Sequence, residues 1–271
     1  MGISRALLLA ALAAPMAFSQ PTVPTLWVTG DSTANHADHR GWGDPLVHYF
    51  DPTKITVINR ARGGRSSRTF FTEGLWERVC AELKPGDYVL IEFGHNDGNT
   101  PGGQPDRGSL PGLGDETVDI ARPGGTHETV HTFGWYIRRF IADAKAAGAH
   151  PILLSPTVRN IWNEGKVERA MGHFAEWSAA IAQAEGVPFL DHTNAIADAY
   201  EKLGPQKVAE FFPEDHTHTS QAGADLNASL VAAAIKGQHS PLAASLSSKG
   251  QEVPAYPAKD ESARRAAKLA K

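Results

Sequence analysis

Cysteine is nearly absent from this chain of 271 residues, and its scarcity limits how the protein can be stabilised. Cys80 is the single cysteine, so no intramolecular disulfide can form. A disulfide-stapled scaffold is thereby excluded, and the fold must depend on a hydrophobic core, which a chain of this length can build. Cys80 itself lies in the helical pattern "LWERVCAEL", where we expect an inert core residue rather than a nucleophile.

The chain also lacks a strong excess of either charge. It carries 26 Lys and Arg against 30 Asp and Glu, for a formal net charge of −4. Such mild acidity gives no electrostatic reason to expect nucleic acid or an anionic membrane as a partner. Beyond the N-terminus, no apolar run approaches the roughly 20 residues that a membrane-spanning helix needs. We therefore expect no membrane and no nucleic-acid partner.

The N-terminus is the one strongly apolar stretch. In "MGISRALLLAALAAPMAFSQ", Arg5 precedes an apolar run that ends in small residues. This pattern is typical of a cleavable signal peptide, and we predict one over residues 1–19. The protein is then expected to be secreted or periplasmic.

Two further absences narrow the fold class. No internal repeat is visible, and no Gly-x-Ser-x-Gly nucleophile elbow occurs, which disfavours an ordinary α/β-hydrolase. Five short apolar runs are present instead, at residues 25–30, 55–60, 87–94, 151–155 and 187–191. They are continuous rather than alternating, as expected of strands that are covered on both faces.

Helical periodicity occupies the segments between these runs. The apolar stripes are Leu75, Val79 and Leu83; Val130, Ile137, Ile141 and Ala144; and Val167, Met171, Phe174 and Ile181. Alternating strands and helices predict a parallel sheet with helices on both faces, in one α/β domain over residues 20–236.

Two segments depart from this alternation. Residues 97–127 are rich in Gly, Pro and Asp and show no periodicity, so we expect a functional surface loop. Residues 237–271 are polar, and we expect a solvated or frayed C-terminal tail.

Reactive residues follow the predicted strands. "GDSTAN", "ARGGRSSR", "GHNDGN" and "SPTVRN" come after the first four runs, and the carboxyl ends of parallel strands meet at one sheet edge. Ser32 in "GDSTAN" could be a helix N-cap, or it could be a nucleophile. A serine nucleophile needs a base, and the base needs a carboxylate to orient it.

The stretch "PEDHTHTSQAGADL" offers both groups. Asp215 and His218 lie three residues apart in a turn before a predicted helix, so the carboxylate can reach Nδ1 and leave Nε2 outward. Thr219 or Ser220 would cap that helix, and His216 would be a structural neighbour. A metal site would need further ligands that the other loops do not supply, so we expect no metal.

Acyl transfer also needs hydrogen-bond donors for the oxyanion. The candidates are the backbone amides of Ser32 and Gly64 and the side-chain amide of Asn96. Taken alone, Gly64 would be a turn glycine and Asn96 a turn or cap residue. Taken together, the four loops predict one catalytic site.

The motifs "GDST", "ARGGRSSRTF", "GHND" and "DHTH" resemble, in order, the four blocks of the SGNH (GDSL-type) hydrolases. "GRSSRTF", "EFGHNDG", "GWGD" and "DHTHTSQAGA" most resemble the rhamnogalacturonan acetylesterases within that superfamily, over about residues 25 to 235. The resemblance implies a three-layer αβα sandwich around a five-stranded parallel, flavodoxin-like sheet. It also implies Ser32 as nucleophile, His218 as base and Asp215 as its orienting carboxylate, with no cofactor.

The substrate implied is an acetylated polysaccharide or oligosaccharide of the pectin type, which carries uronate carboxylates. Several loop arginines could pair with these carboxylates. They are Arg65, Arg68, Arg107, Arg122 and Arg159. We expect Arg65, Arg159 and His95 to bind substrate, whereas Trp135 and Trp162 fit a core position.

The sequence therefore predicts a secreted, monomeric carbohydrate O-acetylesterase acting on rhamnogalacturonan. An acetyl xylan esterase, or another esterase with a lipid, thioester or short-chain substrate, is the alternative on the same machinery. A non-catalytic glycan-binding domain would have no need of a serine, a base and a carboxylate together.

Overall fold

The computed structural model describes residues 23–169 and 173–256. The predicted signal peptide, Met171 and residues 257–271 lie outside them. The strands are β1 (Thr25–Gly30), β2 (Thr56–Asn59), β3 (Tyr88–Glu92), β4 (Thr117–Ala121), β5 (His127–His131), β6 (His150–Leu154), β7 (Trp162–Asn163), β8 (Lys166–Val167) and β9 (Phe189–Leu190). The α-helices are α1 (Ser67–Thr72), α2 (Leu75–Glu82), α3 (Phe133–Ala146), α4 (Phe174–Glu185), α5 (His192–Leu203), α6 (Pro205–Ala209), α7 (Gln221–Gly237) and α8 (Ser248–Glu252).

The central sheet contains five strands in the order β2-β1-β3-β6-β9. All of its pairings are parallel, and β1 pairs with β3 from Leu26 opposite Tyr88 to Gly30 opposite Glu92. The five predicted apolar runs are the five strands of this sheet. Parallel pairing places the carboxyl ends of the strands at one edge, where the motif-bearing loops begin.

Helices cover both faces of the sheet, and successive residues of β1 divide between the two layers. Leu26 and Val28 belong to a core cluster with the apolar face of α7, which includes Val231 and Ile235. Trp27 points to the other face, where α1 to α4 pack with residues such as Phe140. The predicted three-layer αβα sandwich is confirmed.

Two of the predicted helical stripes extend too far toward the N-terminus. Val130 belongs to strand β5, and helix α3 begins only after Thr132, whose side chain accepts a hydrogen bond from the backbone N–H of Trp135. Val167 belongs to β8, and α4 begins at Phe174. The apolar side chains of these stripes that the structure describes are buried as expected, but each stripe combines a strand residue with a helix.

The segment over residues 97–127 was predicted as a loop, but it runs into an antiparallel hairpin of β4 and β5. Four side chains tie this segment to α1 in a closed ion-pair square. Arg68 contacts Asp106 and Glu128 at 2.9 and 2.8 Å, and Arg122 contacts the same two carboxylates from the other side. Arg68 is only 1% exposed. The segment is therefore anchored rather than free.

The predicted polar tail is also partly wrong. Helix α7 ends at Gly237, a short 3-10 helix covers Pro241–Ser245, and α8 follows. Leu242 and Leu246 are buried in the same core cluster as α7 and β1. Tyr256 donates from its hydroxyl to the carboxylate of Asp198 at 2.9 Å. The tail thus packs on the domain at least as far as residue 256, beyond the predicted boundary at residue 236.

Within the described ranges, no helix is long and apolar enough to cross a membrane.

The packing of this C-terminal segment predicts a stability effect. Leu246→Ala should lower the free energy of unfolding by roughly 2–4 kcal/mol, because it opens a cavity next to the sheet. Leu203→Ala is the matched control, since Leu203 is 44% exposed and should change little. Urea unfolding of both variants measures the difference. Equal effects would show that the segment does not stabilise the domain.

Candidate active site

The loops after β1, β2, β3 and β6 meet the α7 turn around a cleft of about 660 Å³. Its lining includes Ser32, Gly64, Asn96 and His218, together with His95. Asp215 lies behind His218 rather than on the cleft wall. The structure therefore brings together all five residues that the sequence assigned to catalysis and the oxyanion.

Ser32 sits in a tight turn directly after β1. The side chain of Asp31 accepts a hydrogen bond from the backbone N–H of Thr33 at 2.8 Å, and its backbone carbonyl accepts from Asn35 at 3.1 Å. No helix starts here. The next helical segment is a 3-10 turn at Ala37–His39, so Ser32 caps no helix and its hydroxyl is available to the cleft.

His218 links Ser32 to Asp215. Its Nε2 lies 2.8 Å from the Ser32 hydroxyl oxygen, and its Nδ1 lies 2.6 Å from Oδ2 of Asp215. The other oxygen of Asp215 accepts from the backbone N–H groups of Thr217 and His218, at 2.6 and 2.7 Å. Partial burial opposes ionisation, but these hydrogen bonds outweigh it and hold the pKa of Asp215 well below its usual range. Asp215 is therefore an anion that can fix the His218 tautomer.

Helix α7 holds this turn in place. Ser220 is its N-cap, and its hydroxyl accepts a hydrogen bond from Gly223. Thr219 was the other candidate cap, but its hydroxyl instead donates to the Arg40 carbonyl at 2.8 Å. His216 is exposed and lies outside the cleft, and its backbone carbonyl accepts from Asn160 at 2.8 Å.

Residues 36–40, which follow the Ser32 turn, clamp the His218 turn from the other side. Arg40 pairs with Glu214 at 2.6 Å, and Gln221 donates to the carbonyl of Asp38 at 2.8 Å. The ring of His36 packs on that of His218, with centroids 4.6 Å apart. In the sequence, nothing distinguishes His36 or Arg40 except their nearness to Ser32.

The three predicted oxyanion donors face the cleft. Gly64 adopts a left-handed conformation with φ of +78°, which favours glycine. Within residues 23–169 and 173–256, the backbone amides of Ser32 and Gly64 donate to no protein acceptor. Asn96 is buried, and its side-chain amide is oriented by donation to the Arg65 carbonyl at 2.8 Å. One N–H of that amide remains for a ligand.

The loop that carries Asn96 is supported from below. A Cβ on Gly94 would lie 2.7 Å from the Pro156 ring, so only glycine lets the two segments approach. Asp97 is buried and accepts from the backbone N–H and the hydroxyl of Ser67, the latter at 2.5 Å, and from Ser109 at 3.0 Å. Burial raises the pKa of Asp97 to about 6 despite these hydrogen bonds.

His95 lies partly exposed on the cleft wall. Its Nε2 is 3.0 Å from the Thr157 hydroxyl, and its Nδ1 is buried with no hydrogen-bond partner. Removal from water lowers its pKa, although the nearby carboxylate of Asp31 acts in the opposite direction. A neutral imidazole at this position can accept a hydrogen bond from a sugar hydroxyl or donate one to it.

Four arginines line the cleft, and the part of the lining that the structure describes contains no carboxylate. Arg65 and Arg159 were predicted there, and Arg62 and Arg107 join them. Arg65 is neutralised by Glu73, which both Nε and Nη2 contact at 2.9 Å. Arg68 and Arg122 belong to the ion-pair square instead.

Neither Trp135 nor Trp162 belongs to the cleft lining. Trp135 stacks on His131, and the Trp162 indole donates to the Asn160 side chain. Among the described residues, no cluster of three or more His, Cys, Asp or Glu side chains could hold a metal ion.

The buried carboxyl of Asp97 predicts a pH effect on stability. Its pKa is raised from 3.8 to about 6 on folding, so the folded state binds the proton more tightly than the unfolded state. Its contribution to stability is therefore present below pH 4 and lost as pH rises through 6, by up to about 3 kcal/mol.

The Asp97→Asn variant should lose this titration. The difference in free energy of unfolding, variant minus wild type, should therefore rise between pH 4 and pH 7. If the amide fits the site imperfectly, this adds a constant offset and does not alter the slope. Asp51→Asn is the control. Hydrogen bonds from Thr53 lower the pKa of Asp51, so its titration lies below pH 4 and this variant's difference from wild type should stay flat between pH 4 and pH 7. Denaturant titrations at several pH values measure both, and a flat difference for Asp97→Asn would contradict the expectation.

Comparisons with known proteins identify relatives of this chain. A rhamnogalacturonan acetylesterase from Emericella nidulans is 36% identical over 211 residues, covering 78% of this chain and 84% of that relative. Rhamnogalacturonan acetylesterase RhgT from Bacillus subtilis is 29% identical and covers 80% of this chain and 91% of the relative.

Solved structures share the fold. YxiM from B. subtilis superposes with a TM-score of 0.65 at 27% identity, over 81% of this chain and 58% of that one. Axe2, an acetylxylan esterase from Geobacillus stearothermophilus, gives 0.54 at 20% identity, over 78% and 94%. The GDSL-like lipase/acylhydrolase family model matches residues 28–226. The chain therefore belongs to the GDSL-like lipase/acylhydrolase family of ester-hydrolysing enzymes.

Proposed function

We propose that the protein is a secreted carbohydrate acetylesterase that removes O-acetyl groups from a rhamnogalacturonan-type polysaccharide. One observation carries the proposal: His218 bridges Ser32 and Asp215 by two short hydrogen bonds at the wall of an arginine-lined cleft. The choice of acetyl as the acyl group and of rhamnogalacturonan as the polymer is supported by relatives named as rhamnogalacturonan acetylesterases.

The reaction begins at Ser32. Its hydroxyl oxygen attacks the acetyl carbonyl carbon, and Nε2 of His218 takes the proton. Asp215, bound to Nδ1–H, stabilises the imidazolium that forms. The carbonyl oxygen becomes an oxyanion, which accepts hydrogen bonds from the amides of Ser32 and Gly64 and from the Asn96 side chain.

The tetrahedral intermediate then collapses. The bond between the acyl carbon and the sugar oxygen breaks, and His218 returns its proton to that oxygen, which leaves as a hydroxyl group. Water attacks the acetyl-enzyme with His218 again as base, and acetate departs as Ser32 regains its proton. The same donors stabilise both oxyanions, so no further group is needed.

The charge of the cleft favours an acidic polymer over a neutral one. Acetylated xylan is the alternative, but a neutral backbone offers the cleft arginines no partner. Axe2 shares the fold but is only 20% identical to this chain, so its substrate is no guide to the substrate of this protein. A non-catalytic glycan-binding domain is disfavoured, since binding sugar needs no oriented serine, base and carboxylate.

Export and a monomeric state complete the proposal. The N-terminal sequence supports export through its apolar run after Arg5. A monomer is supported by the surface, because the large apolar side chains exposed in the described ranges come from separate segments. They are Val23, Val47, Val118 and Leu203.

Removing the nucleophile tests the proposal. Ser32→Ala should lower kcat for acetate release from acetylated rhamnogalacturonan by at least about 10⁴-fold, because no other group can form the acetyl-enzyme. Ser248→Ala, an exposed serine on α8, is the control and should keep wild-type activity. Enzymatic assay of free acetate measures both. Full activity of folded Ser32→Ala protein would overturn the proposal.

A further inference from the structure

The arginines of the cleft differ in what neutralises them. Arg65 is bound by Glu73, and its Nη1 also donates to the Gly63 carbonyl at 3.1 Å. Arg107 and Arg159, by contrast, pair with no carboxylate in the part of the chain that the structure describes. Arg62 is also unpaired there, but it is exposed, so water can solvate its guanidinium.

Arg107 and Arg159 share a second property. The Nε–H of each is buried and has no hydrogen-bond partner among the described groups. A guanidinium stays charged at every physiological pH, so deprotonation cannot remove this cost. A buried donor without an acceptor typically costs about 1–3 kcal/mol, more when it is charged. These two side chains are therefore set up to receive an anion.

Both arginines lie beside the proposed reaction centre. Nη1 of Arg107 is 3.4 Å from the Gly64 carbonyl oxygen, on the residue whose amide faces the oxyanion. Arg159 and His95 line the same cleft. The charge of Arg159 also contributes to the lowered pKa of that imidazole, after the larger effect of burial. An anion held by them is close to the scissile ester.

Arg107 is also held in position by its neighbours. Asp106 before it is a corner of the ion-pair square, and the Gly108 carbonyl after it accepts from Nη1 of Arg68 at 2.6 Å. Because Arg68 is buried, the backbone on both sides of Arg107 is fixed before substrate arrives. Such preorganisation lowers the entropic cost of binding.

We propose that Arg107 and Arg159 form a carboxylate subsite for the sugar that carries the acetyl group. Arg107 and Arg159, rather than Arg65, would then determine the preference for a free carboxylate over its methyl ester. A carboxylate suits the two guanidinium groups, because it can accept charge-assisted hydrogen bonds from both. The proposal rests on acetyl removal at Ser32 and adds what recognises the substrate.

The test compares three substrates by acetate release. They are an oligosaccharide of acetylated rhamnogalacturonan, the same oligosaccharide with its carboxylates methyl-esterified, and an acetylated xylo-oligosaccharide. Wild type should prefer the free acid over its methyl ester in kcat/KM by roughly 10- to 100-fold, the range expected for losing hydrogen bonds to a charged group. The xylo-oligosaccharide should behave like the methyl ester.

Variants assign this preference to residues. Arg107→Gln and Arg159→Gln should each lower the ratio of kcat/KM for free acid to methyl ester by about 10-fold. Arg65→Gln should lower it less, because Glu73 already neutralises that arginine. Arg78→Gln on the exposed face of α2 removes the same charge outside the cleft and should leave the ratio unchanged. The ratio is internal to each preparation, so a reduced folded fraction cancels.

Two outcomes would overturn the subsite while leaving acetyl removal intact. One is a wild-type ratio near one with rapid acetate release, and the other is an unchanged ratio in both Arg107→Gln and Arg159→Gln. Absence of acetate release from all three substrates by wild type would instead contradict the proposed function itself. A ratio that falls in these two variants and not in Arg78→Gln supports the subsite.

Discussion

The hydrogen bond between His218 and Ser32 spans 186 positions of the chain, and the layout of the domain determines whether it can form. Ser32 is fixed because β1 lies inside a sheet that is buried on both faces. His218 is fixed because α7 packs on that same sheet through Val231 and Ile235. The clamp between Arg40 and Glu214 then joins the two turns directly. A core contact distant from the cleft therefore contributes to catalysis by holding these atoms at 2.8 Å.

Charge is arranged in two layers about this bond. Acids are buried behind the serine: the hydroxyl of Thr33 lies 2.9 Å from Asp31 and 3.0 Å from Glu92, and its single proton can serve only one of them. Burial raises the pKa of Asp31, the residue before Ser32, and so disfavours a negative charge on that side chain. Arginines stand in front, on the cleft wall. Both arrangements favour an oxyanion and an anionic substrate.

Much of this could be predicted from local sequence. Buried parallel strands are continuous apolar runs, and the Asp215–His218 pair lies within one turn, so neither requires knowledge of distant contacts. The hairpin of β4 and β5 was missed because its strands are polar and mostly exposed, although "RPGGT" between them is a plausible turn. The packed C-terminal segment was missed because Leu242 and Leu246 stand among polar residues.

The roles of the arginines could not be predicted in the same way. Arg65 and Arg107 look equivalent in sequence, since each lies in a loop rich in Gly. Which of them is free depends on acids brought near by folding, such as Glu73, which contacts Arg65 at 2.9 Å from the other end of α1. Tertiary ion pairing determines whether a guanidinium is neutralised or left available to a ligand. Composition alone does not show which arginines are neutralised.

The ion-pair square links stability to substrate recognition. Burial opposes ionisation of Asp106, but hydrogen bonds from Gly102, Arg68 and Arg122 lower its pKa to about 2. The stabilising contribution of Asp106 is thus present above its unfolded pKa of 3.8 and is lost only as pH falls toward 2. A sugar carboxylate free in solution has a pKa of about 3.5, like other α-substituted acids, so it is already protonated when the pH reaches 2. On the acid side, recognition is therefore limited by the charge of the substrate, while the segment that positions Arg107 remains intact.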